Sequence, residues 1–144
     1  MKTTVLAMGL LLAAFIAFGR ALFGLLGSNT VWYTLGIALP YLLVSVWLSR
    51  RLAITARAGR RTTRGVIVSA ALSWLCAAIF AVTVPDVQAD GSLAAITAPP
   101  GSSPFALEMA IALCNPFAIL QFVFLGAAIA ISWHNAQPAR IEVD

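Results

Sequence analysis

Two charged side chains fall inside the long apolar runs of this chain, Arg20 and Glu108. A charge at bilayer depth costs about 2.5–3.5 kcal/mol on insertion scales, so such a residue marks a function or a compensated pair. Arg20 stands seven residues before the end of its run and Glu108 three residues into its own. Their expected depths differ by roughly 5 Å at 1.5 Å per residue, a gap a long arginine can bridge. Three readings follow. Arg20 snorkels to the headgroups while Glu108 sits at the interface, or the two form an ion pair, or they line a proton or ion path.

Asn115 and Gln121 add amides to the same candidate polar site. Pro116 follows Asn115 directly and frees a carbonyl near Ala112. A broken helix beside an amide is how transporters build midplane sites, whereas a kink with an amide bond to a neighbouring helix is the commoner arrangement. Ser69 and Ser73 can bond back to their own helix, the ordinary outcome, or across to another.

The remaining chemistry is sparse. His134 is the only histidine, and Cys76 and Cys114 lie in separate apolar runs. That set cannot supply a structural zinc site or a haem held by two histidines. The cysteines read as small packing residues, with a disulfide as the lesser alternative. No phosphate-binding loop, nucleophile elbow or metalloprotease motif occurs. Neither an enzyme nor a cofactor is expected.

These residues must be positioned by membrane spans. Of the 144 residues 61% are hydrophobic and 10% are charged, against about 25% charged in a soluble domain. Apolar runs at 5–27, 31–48, 65–84 and 105–133 are each long enough to cross a bilayer. The expected fold class is therefore all-α: a polytopic membrane protein with four transmembrane helices in one antiparallel bundle covering 1–144. Pro40 predicts a kink in the second span, and 29 residues in the fourth predict tilt, a kink at Pro116 or protrusion. The tail from His134 onward reads as loose. Small residues recur every fourth position at Gly9, Ala13, Ala17 and Ala21, at Ser69, Ser73, Ala77 and Ala81, and at Ala106, Ala110, Cys114 and Ala118, with Gly126 and Ala130 beyond. Such stripes let helices approach closely in lipid.

Charge sets the expected orientation. The connection 49–64 holds Arg50, Arg51, Arg57, Arg60, Arg61 and Arg64 and no acid. The connection 85–104 holds Asp86 and Asp90 and no base, and reads as a loop with a short interfacial piece near Leu93–Ile96. By the distribution of Lys and Arg, both termini and the arginine segment face the cytoplasm and 85–104 lies outside. The arginines suit anionic headgroups or an acidic partner. No aromatic residues interleave with them, so nucleic acid is not expected. An alanine- and arginine-rich chain with a single lysine suits a bacterial cell membrane.

Two functions fit this pattern. One is a non-catalytic accessory or scaffold subunit that packs against other membrane proteins. The other is a small homo-oligomeric transporter or channel with a polar path near Arg20, Glu108, Asn115 and Gln121.

Overall fold

A computed structural model describes residues 1–136. The tail 137–144, with Pro138 and Arg140, lies outside the described residues, and with it most of the segment read as loose. The described chain is mostly helical. Four of its segments are long and apolar enough to cross a membrane: Lys2–Phe23, Thr30–Arg57, Arg64–Thr83 and Pro104–Asn135. Helices are what such runs must form in lipid, because every backbone donor then finds an acceptor within its own segment.

The first segment is helix α1 (Lys2–Phe18) followed by a 3-10 turn (Gly19–Phe23). Gly24 closes it in the left-handed conformation, φ 68°, which only glycine adopts cheaply. The helix thus ends short of Gly27, and the tightened turn re-aims Arg20.

The second segment joins α2 (Thr30–Tyr33), a π-helical turn (Thr34–Ala38) and α3 (Leu39–Arg57). The wide turn sits just before Pro40. A proline lacks the N–H and crowds the carbonyl four residues back, here that of Gly36. A widened turn is a recognised way to make that room. Helix α3 runs on past Trp47 to Arg57, so Arg50, Arg51 and Arg57 are helical, and the link to α4 shrinks to 58–63.

Helix α4 (Arg64–Thr83) stops where Pro85 forces Val84 into extended backbone, ψ 122°. The following segment is not an interfacial helix. It forms a two-stranded antiparallel hairpin, β1 (Asp86–Val87) with β2 (Leu93–Ala94), in register Asp86↔Ala94. The Thr97 amide bonds to the Val82 carbonyl at 3.1 Å and ties this hairpin back to α4. Helix α5 (Pro104–Ala136) runs unbroken through Pro116 for 33 residues, about 50 Å.

The core is apolar: Val5, Leu12, Ile16, Tyr41, Leu48, Phe80 and Leu125 are among its buried members. The stripes of small residues work as packing seams in three places. At Gly9 a Cβ would come within 2.5 Å of Ser45 Cβ, so α1 and α3 touch there only because position 9 is glycine. Ser73, Ala77 and Ala81 are buried on α4, and Ala110 and Cys114 on α5. The last pair departs from the expected pattern. Gly126 and Ala130 are exposed, and a Cβ on Gly126 would meet nothing within 4 Å.

The two ends of the bundle differ in charge. At one end the start of α1 meets α3 (Ser49 Oγ donates to the Lys2 carbonyl, 2.9 Å), and the start of α4 meets the end of α5 (Asn135 Nδ2 donates to Thr63 Oγ1, 2.9 Å). Lys2 and the arginines from Arg50 to Arg64 gather there. The hairpin and the turn after α1 form the other end.

Candidate functional site

At the hairpin end Arg20 is 1% exposed and does not reach out to solvent. Nor does it pair with Glu108. Its Nη1 lies 3.4 Å from Asp86 Oδ2, and its guanidinium carbon sits 4.7 Å above the centre of the Tyr33 ring. Two of the three readings of Arg20 from sequence, snorkelling and a Glu108 partner, are corrected by one fact. The segment after α4 folds back over the bundle and carries Asp86 inward until it is fully buried. The partner comes from a segment that the sequence marks only as an outer loop.

Asp86 is far better served than Arg20. Its Oδ1 accepts from the Asn29 amide (2.8 Å) and its own neighbour's amide at Val87 (2.9 Å). Its Oδ2 accepts from the Thr30 hydroxyl (2.7 Å) and the Gly27 amide (3.2 Å). The Tyr33 hydroxyl donates to the Pro85 carbonyl, 2.9 Å. Arg20, by contrast, leaves its guanidinium nitrogens outside hydrogen-bond geometry among the described residues. The carboxylate is the hub that fastens the 24–30 link to the hairpin, and the arginine balances its charge. Gly27 is part of the same fit: a Cβ there would collide with the Val87 carbonyl and the Asp86 carboxylate.

A second polar layer crosses the middle of the bundle. Ser73 Oγ donates to the Gln121 carbonyl at 2.7 Å and shares a 3.2 Å contact with the Tyr41 hydroxyl. Ser73 thus bonds across to its neighbours and not back along α4. Gln121 is buried; its Nε2 donates to the Ala118 carbonyl at 3.2 Å. Three helices are stitched at one level by groups that would otherwise go unpaired in an apolar medium.

Glu108 and Asn115 stand elsewhere. Both are exposed, on the outward face of α5. Their seven-residue spacing puts them in line, and Ile119, Gly126 and Trp133 continue the same line. Asn115 makes no amide bond to another helix among the described residues; its Oδ1 has only a 3.7 Å contact with the adjacent Cys114 thiol. The four residues expected to share a polar site are therefore split. Arg20 and Gln121 are inside, in separate layers, while Glu108 and Asn115 are outside. Cys76 and Cys114 are both buried and free.

At the arginine end α3 and α5 bound an open groove of about 630 Å³. Val44 and Trp47 form one wall, Phe122, Gly126 and Trp133 the other, and His134 stands at its mouth. Arg51 lies 4.2 Å above the Trp133 ring. No group of three or more potential metal ligands occurs among the described residues.

Sequence reasoning missed Asp86, Tyr33 and Tyr41. Two signals were present. A lone intramembrane cation needs an anion, and the acid at a span's end beside Pro85 is as near in depth as Glu108. A tyrosine at mid-span also needs a partner for its hydroxyl. No known protein family, curated protein or solved structure matches the chain.

Proposed function

We propose that this chain is a non-catalytic, multi-pass subunit of a bacterial cytoplasmic membrane that packs against another integral membrane protein through the outward face of α5 around Glu108 and Asn115. Its four helices would run antiparallel, with both termini and the arginine end in the cytoplasm, as the Lys and Arg distribution requires.

One observation carries this reading: Glu108 and Asn115 are exposed on the outward face of α5, a helix long and apolar enough to cross a membrane. Polar side chains in spans normally face protein or a water-filled cavity. An amide turned outward is explained if another helix covers it and supplies its bonds. The buried polar groups point the same way. Arg20–Asp86 and Tyr41–Ser73–Gln121 join helices at two separate levels, and among the described residues they form no continuous polar path inside one chain.

A second reading rests on the same face. In a homo-oligomer, Glu108 and Asn115 would line the contact between copies and offer a transport path. Affinity purification in mild detergent, with mass spectrometry and light scattering, separates the two. The subunit reading expects a stoichiometric foreign membrane protein that is lost in Asn115→Leu while thermal stability is unchanged. A clean homo-oligomer overturns it. The transporter reading then expects flux in liposomes that stops in Glu108→Gln.

A further inference from the structure

We infer that the groove between α3 and α5 is a binding site for one anionic phospholipid, with an acyl chain between Trp47 and Gly126 and the phosphate at Arg51. The inference rests on the membrane placement proposed above but not on the subunit reading, which concerns the other half of α5.

Length decides between a lipid and a helix. The α5 wall runs from Phe122 to His134, twelve steps or about 18 Å. The hydrocarbon of one leaflet is about 15 Å, half of a core of about 30 Å. A partner helix crossing the bilayer would need a cleft about twice as long. The groove lies in the half nearest the arginines, between Val44 and Trp47 on α3 and Phe122 to His134 on α5, as one leaflet's lipid requires.

Charge and shape agree. Val44, Trp47 and Arg51 share one face of α3 at spacings of three and four, so the guanidinium caps the wall that the first two residues build. Among the described residues no carboxylate pairs with Arg51, and its guanidinium lies over the Trp133 ring. Trp47 and Trp133 are each 47% exposed and flank the mouth, where indole rings settle at headgroup depth. A basic pocket between helices at the cytoplasmic side is the known form of an anionic-headgroup site. On the α5 wall, Gly126 has no neighbour that a Cβ would strike. Nothing among the described residues requires glycine there, and its missing side chain widens the groove.

The test is native mass spectrometry of the full-length protein released from mixed phosphatidylglycerol and phosphatidylcholine vesicles. One retained phosphatidylglycerol per chain is expected, in preference to phosphatidylcholine. Arg51→Gln should cut that preference roughly fivefold, the weight of one cation near an anionic surface. Gly126→Phe should fill the groove and abolish retention of either lipid, with the melting temperature unchanged; Gly126→Leu is the milder variant should the phenylalanine disturb folding. Equal retention of both lipids, or retention that survives both Gly126 variants, overturns the inference. So does a Gly126→Phe variant that changes oligomeric mass while keeping its lipid, since the groove then belongs to a helix. A chain that fails to enter vesicles at all refutes the membrane placement instead, and loss of the foreign subunit without loss of lipid bears only on the subunit reading.

Discussion

The two ends of this bundle hold charge in opposite ways. At the hairpin end one cation and one anion are buried together, and the anion collects four further donors from the protein. At the arginine end the cations lie at the surface: Arg50, Arg57, Arg61 and Arg64 are exposed, and Arg60 donates to the Asn135 carbonyl. A buried charge has only the protein to stabilise it, so its partners must be built in. A surface charge is solvated by water and headgroups and needs no partner. The first arrangement shapes the fold, and the second leaves its charges open at the surface.

That contrast can be broken most sharply at Asp86. Asp86→Ala should lower stability in detergent by about 3–5 kcal/mol, because it strands Arg20 and four donors together. Arg20→Met should cost much less, since Asp86 keeps its hydrogen bonds and the guanidinium was poorly served. The double variant should be less damaged than the sum of the singles. Thermal unfolding of the three proteins checks this, and equal losses in the two singles would sink the view of Asp86 as the hub.

Glycines sharpen the comparison next. Gly27→Ala at the hairpin end drives a Cβ into Asp86 and Val87, and overpacking of this kind costs about 1–3 kcal/mol. Gly126→Ala towards the arginine end meets open space and should raise stability by about 0.5–1 kcal/mol, the helix preference of alanine over glycine. If both changes proved neutral, the close fit at Gly27 would be wrong.

Arg57 and Arg61 should matter less to stability. Replacing both with Ala is expected to change it by under about 1 kcal/mol, as is usual for exposed charges. Their loss should instead raise the fraction of inverted chains, read by labelling of single cysteines from either side of the membrane. A large drop in melting temperature would erase the distinction between the two ends.

The smallest effect concerns Asp90, which is fully exposed on the hairpin. The Ser92 hydroxyl and amide bond its carboxylate at 2.7 and 2.9 Å and hold its pKa below the ordinary aspartate range. A depressed folded pKa adds stability above the unfolded value, and that gain fades as pH falls through the folded one. Asp90→Asn should therefore melt slightly lower than the parent near pH 7, and the two should converge in acid. A difference that grew in acid would contradict the sign.

Much of the architecture was legible in residue types. The four apolar runs appear as four helices, with ends shifted where local rules intervene. Gly24 stops the first early, Pro40 follows a widened turn, and α3 carries three arginines past Trp47 because nothing in Arg50 or Arg51 breaks a helix. The candidate site was legible only in part. Arg20 stood out, since a charge in an apolar run is conspicuous at any position. Its partner did not, because pairing depends on where a loop returns, and loop closure leaves little trace in local sequence.

Helix phase marks a further limit. Small residues at four-residue spacing bury a seam at Gly9 and Ser73 and leave Gly126 facing out, although the pattern is the same in all three places. Sequence by itself determined the number of long apolar helical segments and the sorting of charge to one end, because hydropathy and charge act position by position along a chain. Tertiary structure alone decided that Asp86 serves Arg20, that Ser73 reaches Gln121, and which face of α5 stays open. Each of those depends on which helix lies next to which, and that is settled by the packing of all the segments at once.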